Sequence, residues 1–125
     1  MVRNREWRHP PEEFVKINFD GAYNERQQQA ASGIVIRDKE GRVLFSCSKL
    51  HYEISSAFTA EALACREAVR VGVEKGFVHT LRSANGLAHL IATETLRRRE
   101  EIYLEMAVPE YAEERSRWDW KHEPD

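Results

Sequence analysis

The first part of the chain alternates between apolar and polar residues, as β-strands do when one face is buried. In the first segment Val15, Ile17 and Phe19 point to one side and polar residues to the other. The second segment is rich in β-branched residues, and a turn that ends at Gly41 joins it to the third. The three segments are residues 14–20, 32–38 and 42–50. They predict an antiparallel meander with one face on a core.

After the third segment the spacing of apolar residues changes to that of a helix. Two serines, Ser55 and Ser56, offer a side-chain cap for a helix over residues 57–75, and Gly76 is placed to end it. Apolar residues that recur every three or four positions predict the buried stripe of this helix. The stripe consists of Ala62, Cys65, Val69 and Val73.

The rest of the chain contains a short apolar stretch and a second helix. The stretch covers residues 78–81, and the helix begins near residues 83–85 and runs to about Arg99. We therefore divide the chain into three parts. These are an extended lead-in over residues 1–13, an α/β domain over 14–99 and a charged C-terminal tail over 100–125.

The composition is that of a single globular domain. The chain has 125 residues, of which 42% are hydrophobic and 32% charged, and its formal net charge is −2. This charge argues against a protein that is basic over its whole surface, but not against a local basic face.

Cys47 and Cys65 match no metal motif and are predicted to be reduced core residues. No stretch approaches the ~20 apolar residues of a membrane-spanning helix, so we expect a soluble intracellular protein, in the cytoplasm or the nucleus.

Two acidic residues carry the candidate chemistry. Asp20 closes the first predicted strand, and Glu61 lies in the first turns of the helix that follows the third. A carboxylate at a strand end and one on a helix can converge at the edge of a sheet, and converging carboxylates are the ligands that Mg²⁺ requires. Two structural roles remain open at this point. Asp20 can cap a turn before Gly21, and Glu61 can interact with the helix dipole.

The order of several short motifs resembles the plant ribonuclease-H-like, reverse-transcriptase-like domains. The resemblance covers most of the chain from Trp7 to about Thr95. The motifs are, in order, Trp7-x-x-Pro10-Pro11, Lys16-x-Asn18-x-Asp20-Gly21-Ala22, Gly33-Ile34-Val35-Ile36-Arg37-Asp38-x-x-Gly41, Ala60-Glu61-Ala62-Leu63-Ala64 and Arg82-Ser83-Ala84-Asn85-Gly86-Leu87-Ala88-His89. No single motif identifies this family, but the order of the motifs along the chain is specific to it.

The resemblance implies a five-stranded mixed sheet flanked by helices, and four acidic residues that bind two Mg²⁺ ions to cleave the RNA strand of an RNA–DNA hybrid. Asp20 matches the first acid and Glu61 the helical one. The segment that would carry the third acid is missing between Gly76 and Arg82, together with the fourth strand and adjacent helices. His89 stands at the position of the fourth acid. Histidine is a poor substitute for a carboxylate on Mg²⁺.

Neither of two other acids is expected to replace the missing one. Asp38 lies at the far end of the second strand, roughly 20 Å from Asp20. Glu94 is more than one helical turn beyond His89. The candidate catalytic set is therefore Asp20, Glu61 and His89, of which Asp20 and Glu61 are the metal ligands and would hold Mg²⁺ weakly.

These residues predict a ribonuclease-H-like nucleic-acid-binding domain whose hybrid cleavage is impaired. Its implied partner is an RNA–DNA hybrid, and no membrane partner is expected. Two alternatives remain: a non-catalytic remnant that binds nucleic acid or protein, and a truncated gene product without stable function. Because the fourth strand is missing, one edge of the first strand has no pairing partner. We expect Val78–Leu81 to pair with that edge.

Overall fold

The computed structural model of the protein describes residues 14–83 and 86–122. The lead-in predicted over residues 1–13 therefore lies outside the described residues. The elements, in chain order, are β1 Phe14–Asn24, β2 Gln29–Arg37, β3 Val43–Tyr52, α1 Ala57–Lys75, β4 Val78–Ser83, α2 Gly86–Arg98, β5 Tyr103–Glu105, a 3₁₀ turn Glu110–Ala112 and α3 Glu113–His122.

The predicted meander is confirmed. Strands β1, β2 and β3 pair antiparallel, with Asp20 opposite Gly33 and Ile34 opposite Cys47. The turn between β2 and β3 is closed by the Asp38 carboxylate, whose Oδ1 accepts the backbone N–H groups of Glu40 and Arg42 at 2.9 Å each. Asp38 is thus a turn-capping residue just after β2, whereas Asp20 pairs with Gly33 in the middle of that strand.

The predicted pairing of Val78–Leu81 with the first strand is also confirmed. Strand β4 runs parallel to β1, with Ile17 opposite Leu81 and Phe19 opposite Ser83. The sheet has the order β4-β1-β2-β3-β5. This five-stranded mixed sheet with flanking helices is the α/β architecture that the resemblance implies, and Val78–Ser83 lies beside β1 at the edge that we predicted to be open.

Hydrogen exchange tests this pairing. Among the described residues β4 has a neighbour on one side only, and alternate residues of a parallel strand bond to that neighbour. We expect alternate amides of Val78–Leu81 to exchange slowly and those between them to exchange fast, which provides an internal control. Equally fast exchange of all four amides in the folded protein would contradict the pairing.

The prediction of the buried stripe of α1 is wrong, because most of that stripe is exposed to solvent. Val69 and Val73 are 40% and 69% exposed, and Ala62 is exposed too. The buried face is instead made mainly of small residues, namely Ala60, Ala64, Glu67, Ala68, Val71 and Gly72. Both faces are apolar at helical spacing, and the small residues let the helix backbone come closer to the sheet. The helix bounds themselves are as predicted, with Ser56 as the N-cap and Gly76 as the C-cap.

The two long helices cover opposite faces of the sheet. Helix α1 packs on the face that carries Val15, Ile17 and Phe19. Helix α2 packs on the other face, where Leu87 and Ile91 contact a core centred on Val35. Among the glycines of the sheet, Gly33 allows this packing, because a Cβ there would lie 2.3 Å from the carbonyl oxygen of Ala88.

Elements within residues 100–122 pack against the rest of the domain. Strand β5 pairs with β3, and Ala112 is buried in the core under α2. Asp119 on α3 forms a buried ion pair with Arg37 on β2, at 3.3 Å. Where the domain ends stays a prediction, but the predicted tail contributes a strand, a helix and a buried charge to the packing.

Two further sequence predictions concern cysteines and membranes. Cys47 is free and buried, and Cys65 is free and partly buried. Burial raises the pKa of the Cys47 thiol to about 12, which keeps it protonated and unreactive. Within the described ranges, none of the helices is both long enough and apolar enough to cross a bilayer.

Candidate functional site

Asp20 lies on β1 just beyond the end of β4. The last residue of β4, Ser83, pairs with Phe19, so the edge of β1 is uncovered by that strand from Asp20 onward. Phe19 belongs to the core under α1. Because neighbouring residues of a strand point to opposite faces, the Asp20 side chain points to the α2 face. The site therefore forms at an edge that both helices can reach.

Glu61 reaches this edge from the beginning of α1. Its Oε1 accepts the backbone N–H of Gly21 at 3.0 Å. Gly21 is needed for this approach, because a Cβ there would lie 2.6 Å from the Ala60 carbonyl oxygen. Partial burial raises the pKa of the Glu61 carboxyl, and the negative charge of Asp20 and a hydrogen bond with its carboxyl act in the same direction. The Gly21 N–H and the nearby His89 oppose this rise.

His89 reaches Asp20 from α2. Its Nδ1 lies 2.5 Å from Asp20 Oδ2, and its Nε2 lies 3.5 Å from Thr93 Oγ1, one turn further along the helix. The His89 side chain is 64% exposed and the Asp20 side chain 13%. The imidazole thus covers the carboxylate and is the group that solvent meets.

All three predicted site residues come together, and the two other acids that we considered do not join them. Glu94 points to the end of α2, where it binds Arg97 and Arg98, each at 2.7 Å. These arginines lower the pKa of the Glu94 carboxyl to about 2. Within residues 14–83 and 86–122, no group of three or more His, Cys, Asp or Glu side chains is arranged to hold a metal ion.

The three candidate residues lie close together in the structure, but sequence reasoning did not predict the contact between His89 and Asp20. We predicted His89 as the occupant of a metal-ligand position, whereas in the structure its ring bonds directly to Asp20. The contact joins residues 69 positions apart, so no local pattern signals it. Thr93 was missed as a neighbour of the ring, although its spacing of four from His89 on a helix would have indicated it.

A family model described as reverse transcriptase-like matches residues 18–81, just over half of the chain. The match contains Asp20 and Glu61 and ends within β4. No curated protein matches the chain, and no solved structure does.

Proposed function

Since the chain belongs to the reverse transcriptase-like family, which is a ribonuclease-H-like family of nucleic-acid-related domains, we propose that it binds RNA–DNA hybrids and cleaves them very slowly or not at all. The observation that supports slow or absent cleavage is the contact between His89 Nδ1 and Asp20 Oδ2. It occupies a carboxylate oxygen that the family's chemistry would need for a metal ion.

The residues present do not fit a centre of two Mg²⁺ ions. Such a centre stabilises both the attacking and the leaving oxygen of the phosphodiester, and each ion needs several oxygen ligands. Asp20 and Glu61 are the two acids that meet here, and one oxygen of each already accepts a hydrogen bond or contacts an imidazole within the protein. Asp20 and Glu61 would bind a single Mg²⁺ weakly.

A cleavage assay on an RNA–DNA hybrid with Mg²⁺ tests the loss of activity. We expect the wild-type protein to cleave no faster than Asp20→Asn. The matched control is Asp38→Asn, which makes the same change in the turn just after β2. Cleavage by the wild type that Asp20→Asn abolishes and Asp38→Asn preserves would show that the site is a working nuclease.

Binding of the same hybrid tests the first part of the proposal. We expect an affinity that falls as salt is raised, because contacts to phosphates release counterions from the nucleic acid. Fluorescence anisotropy with a labelled hybrid measures this dependence. Absence of binding by a cooperatively folded protein would favour a remnant with a protein partner. Absence of both binding and cooperative unfolding would favour a truncated product without stable function.

A further inference from the structure

We propose that the contact between Asp20 and His89 takes the place of a metal ion in this site, so that nucleic acid binds here without a divalent cation. The inference rests on the proposed function, since it specifies how the same site receives a phosphate backbone. The side chains that meet at Asp20 differ from the four-acid centre that the family resemblance implies, because His89 stands where that centre has an acid.

A cluster of carboxylates repels the phosphates of a nucleic acid, and bound cations remove that repulsion. Here the acids that meet are Asp20 and Glu61, and the third group is the imidazole of His89. Replacing an acid by an imidazole removes one negative charge from the place where a phosphate would lie. The repulsion that a metal ion would have to offset is correspondingly smaller.

Asp20 Oδ2 contacts His89 Nδ1, and Glu61 Oε1 accepts the Gly21 N–H. A metal ion that took these oxygens as ligands would have to break both contacts. Each contact is built into the packing, because α1 and α2 approach the sheet closely at Gly21 and Gly33. The protein therefore satisfies these oxygens by itself.

The His89 side chain is 64% exposed, whereas that of Asp20 is 13% exposed. A nucleic acid backbone that approaches this edge meets the imidazole first and the carboxylate hardly at all. His89, the exposed residue of the three, is thus one that tolerates a phosphate, whereas Asp20 and Glu61 are partly buried.

The experiment compares binding with and without a divalent cation. The probe is an RNA–DNA hybrid whose RNA strand is 2′-O-methylated to prevent cleavage, and its dissociation constant is measured in EDTA and in Mg²⁺ at equal ionic strength. We expect the wild type to bind equally well in both conditions. We expect His89→Asp to bind about tenfold more weakly in EDTA, which is the effect of one added like charge near a phosphate, and to recover in Mg²⁺.

Ala107→Asp is the matched control for added charge. Ala107 is exposed just after β5, at the opposite edge of the sheet from β4, so this variant should bind like the wild type in both conditions. Binding of Mn²⁺, followed by its electron paramagnetic resonance, is a second readout that needs no nucleic acid. We expect His89→Asp to bind Mn²⁺ more tightly than the wild type.

The outcomes separate this inference from the proposed function. If the wild type binds the hybrid only in Mg²⁺, the inference is wrong and the proposed binding function stands. If His89→Asp binds equally well in EDTA and in Mg²⁺ and takes up no more Mn²⁺ than the wild type, the role of His89 is wrong. If the wild type binds the hybrid in neither condition, both proposals fail.

Discussion

Replacement of Asp119 by alanine is expected to lower the free energy of unfolding by about 3–5 kcal/mol, because it leaves a buried charge without its partner. The Arg37 side chain is 7% exposed and that of Asp119 is fully buried, and the two are joined at 3.3 Å. Arg37 keeps a hydrogen bond to the Asn18 side chain at 3.0 Å. That amide is uncharged and does not offset the lost carboxylate. Urea unfolding of the wild type and the variant measures the difference.

Glu74→Ala is the matched control for this variant. It also removes a carboxylate from an ion pair with an arginine, but Glu74 and Arg70 are 58% and 49% exposed. Exposed pairs contribute about 0–1 kcal/mol. A loss of less than about 1 kcal/mol for Asp119→Ala as well would mean that α3 does not bury this charge, and that the chain after residue 99 behaves as the charged tail of our sequence prediction.

Gly33→Ala is expected to destabilise the protein by at least about 2 kcal/mol, since it forces extra volume into a tightly packed contact. The new Cβ would lie 2.3 Å from the Ala88 carbonyl oxygen and 2.7 Å from the Ala92 nitrogen. Both are backbone atoms of α2, so the whole helix has to move. The movement should also separate His89 from Asp20, which the NMR signals of the His89 ring would report.

Gly86→Ala makes the same substitution at the start of α2 and serves as the control. There the added Cβ meets the guanidinium group of Arg115, the end of a flexible side chain. We expect it to change the stability by less than about 1 kcal/mol. If Gly33→Ala is as harmless as Gly86→Ala, the close approach of α2 to β2 is wrong, and the contact of His89 with Asp20 loses its support.

Strand pairing and two close helix approaches hold the three side chains of the candidate site in place. Asp20 is fixed by the pairing of β1 with β2, Glu61 by the approach of α1 at Gly21, and His89 by the approach of α2 at Gly33. The site therefore depends on two glycines that allow backbone contacts from opposite faces of one sheet. Because the three side chains meet at a strand edge, small shifts of either helix would separate them.

The sequence by itself predicted the elements from β1 to α2 and the three candidate site residues, but not β5 and α3, which lie in the predicted charged tail. Strand alternation, the Ser56 cap and Gly76 fixed the meander and the bounds of α1, because these signals act between residues close along the chain. The order of motifs identified Asp20, Glu61 and His89, and the structure brings all three together. It also indicated the open edge of β1, which β4 fills.

Only the tertiary structure decided which surfaces meet. Helix α1 has two apolar faces, and the sheet selects the one with small residues at Ala60, Ala64 and Ala68, because it permits the closest packing. The burial of Asp119 against Arg37 and the contact of His89 with Asp20 join residues 82 and 69 positions apart. Contacts at such separations depend on how the elements pack in space, and the local pattern of residues carries no signal for them.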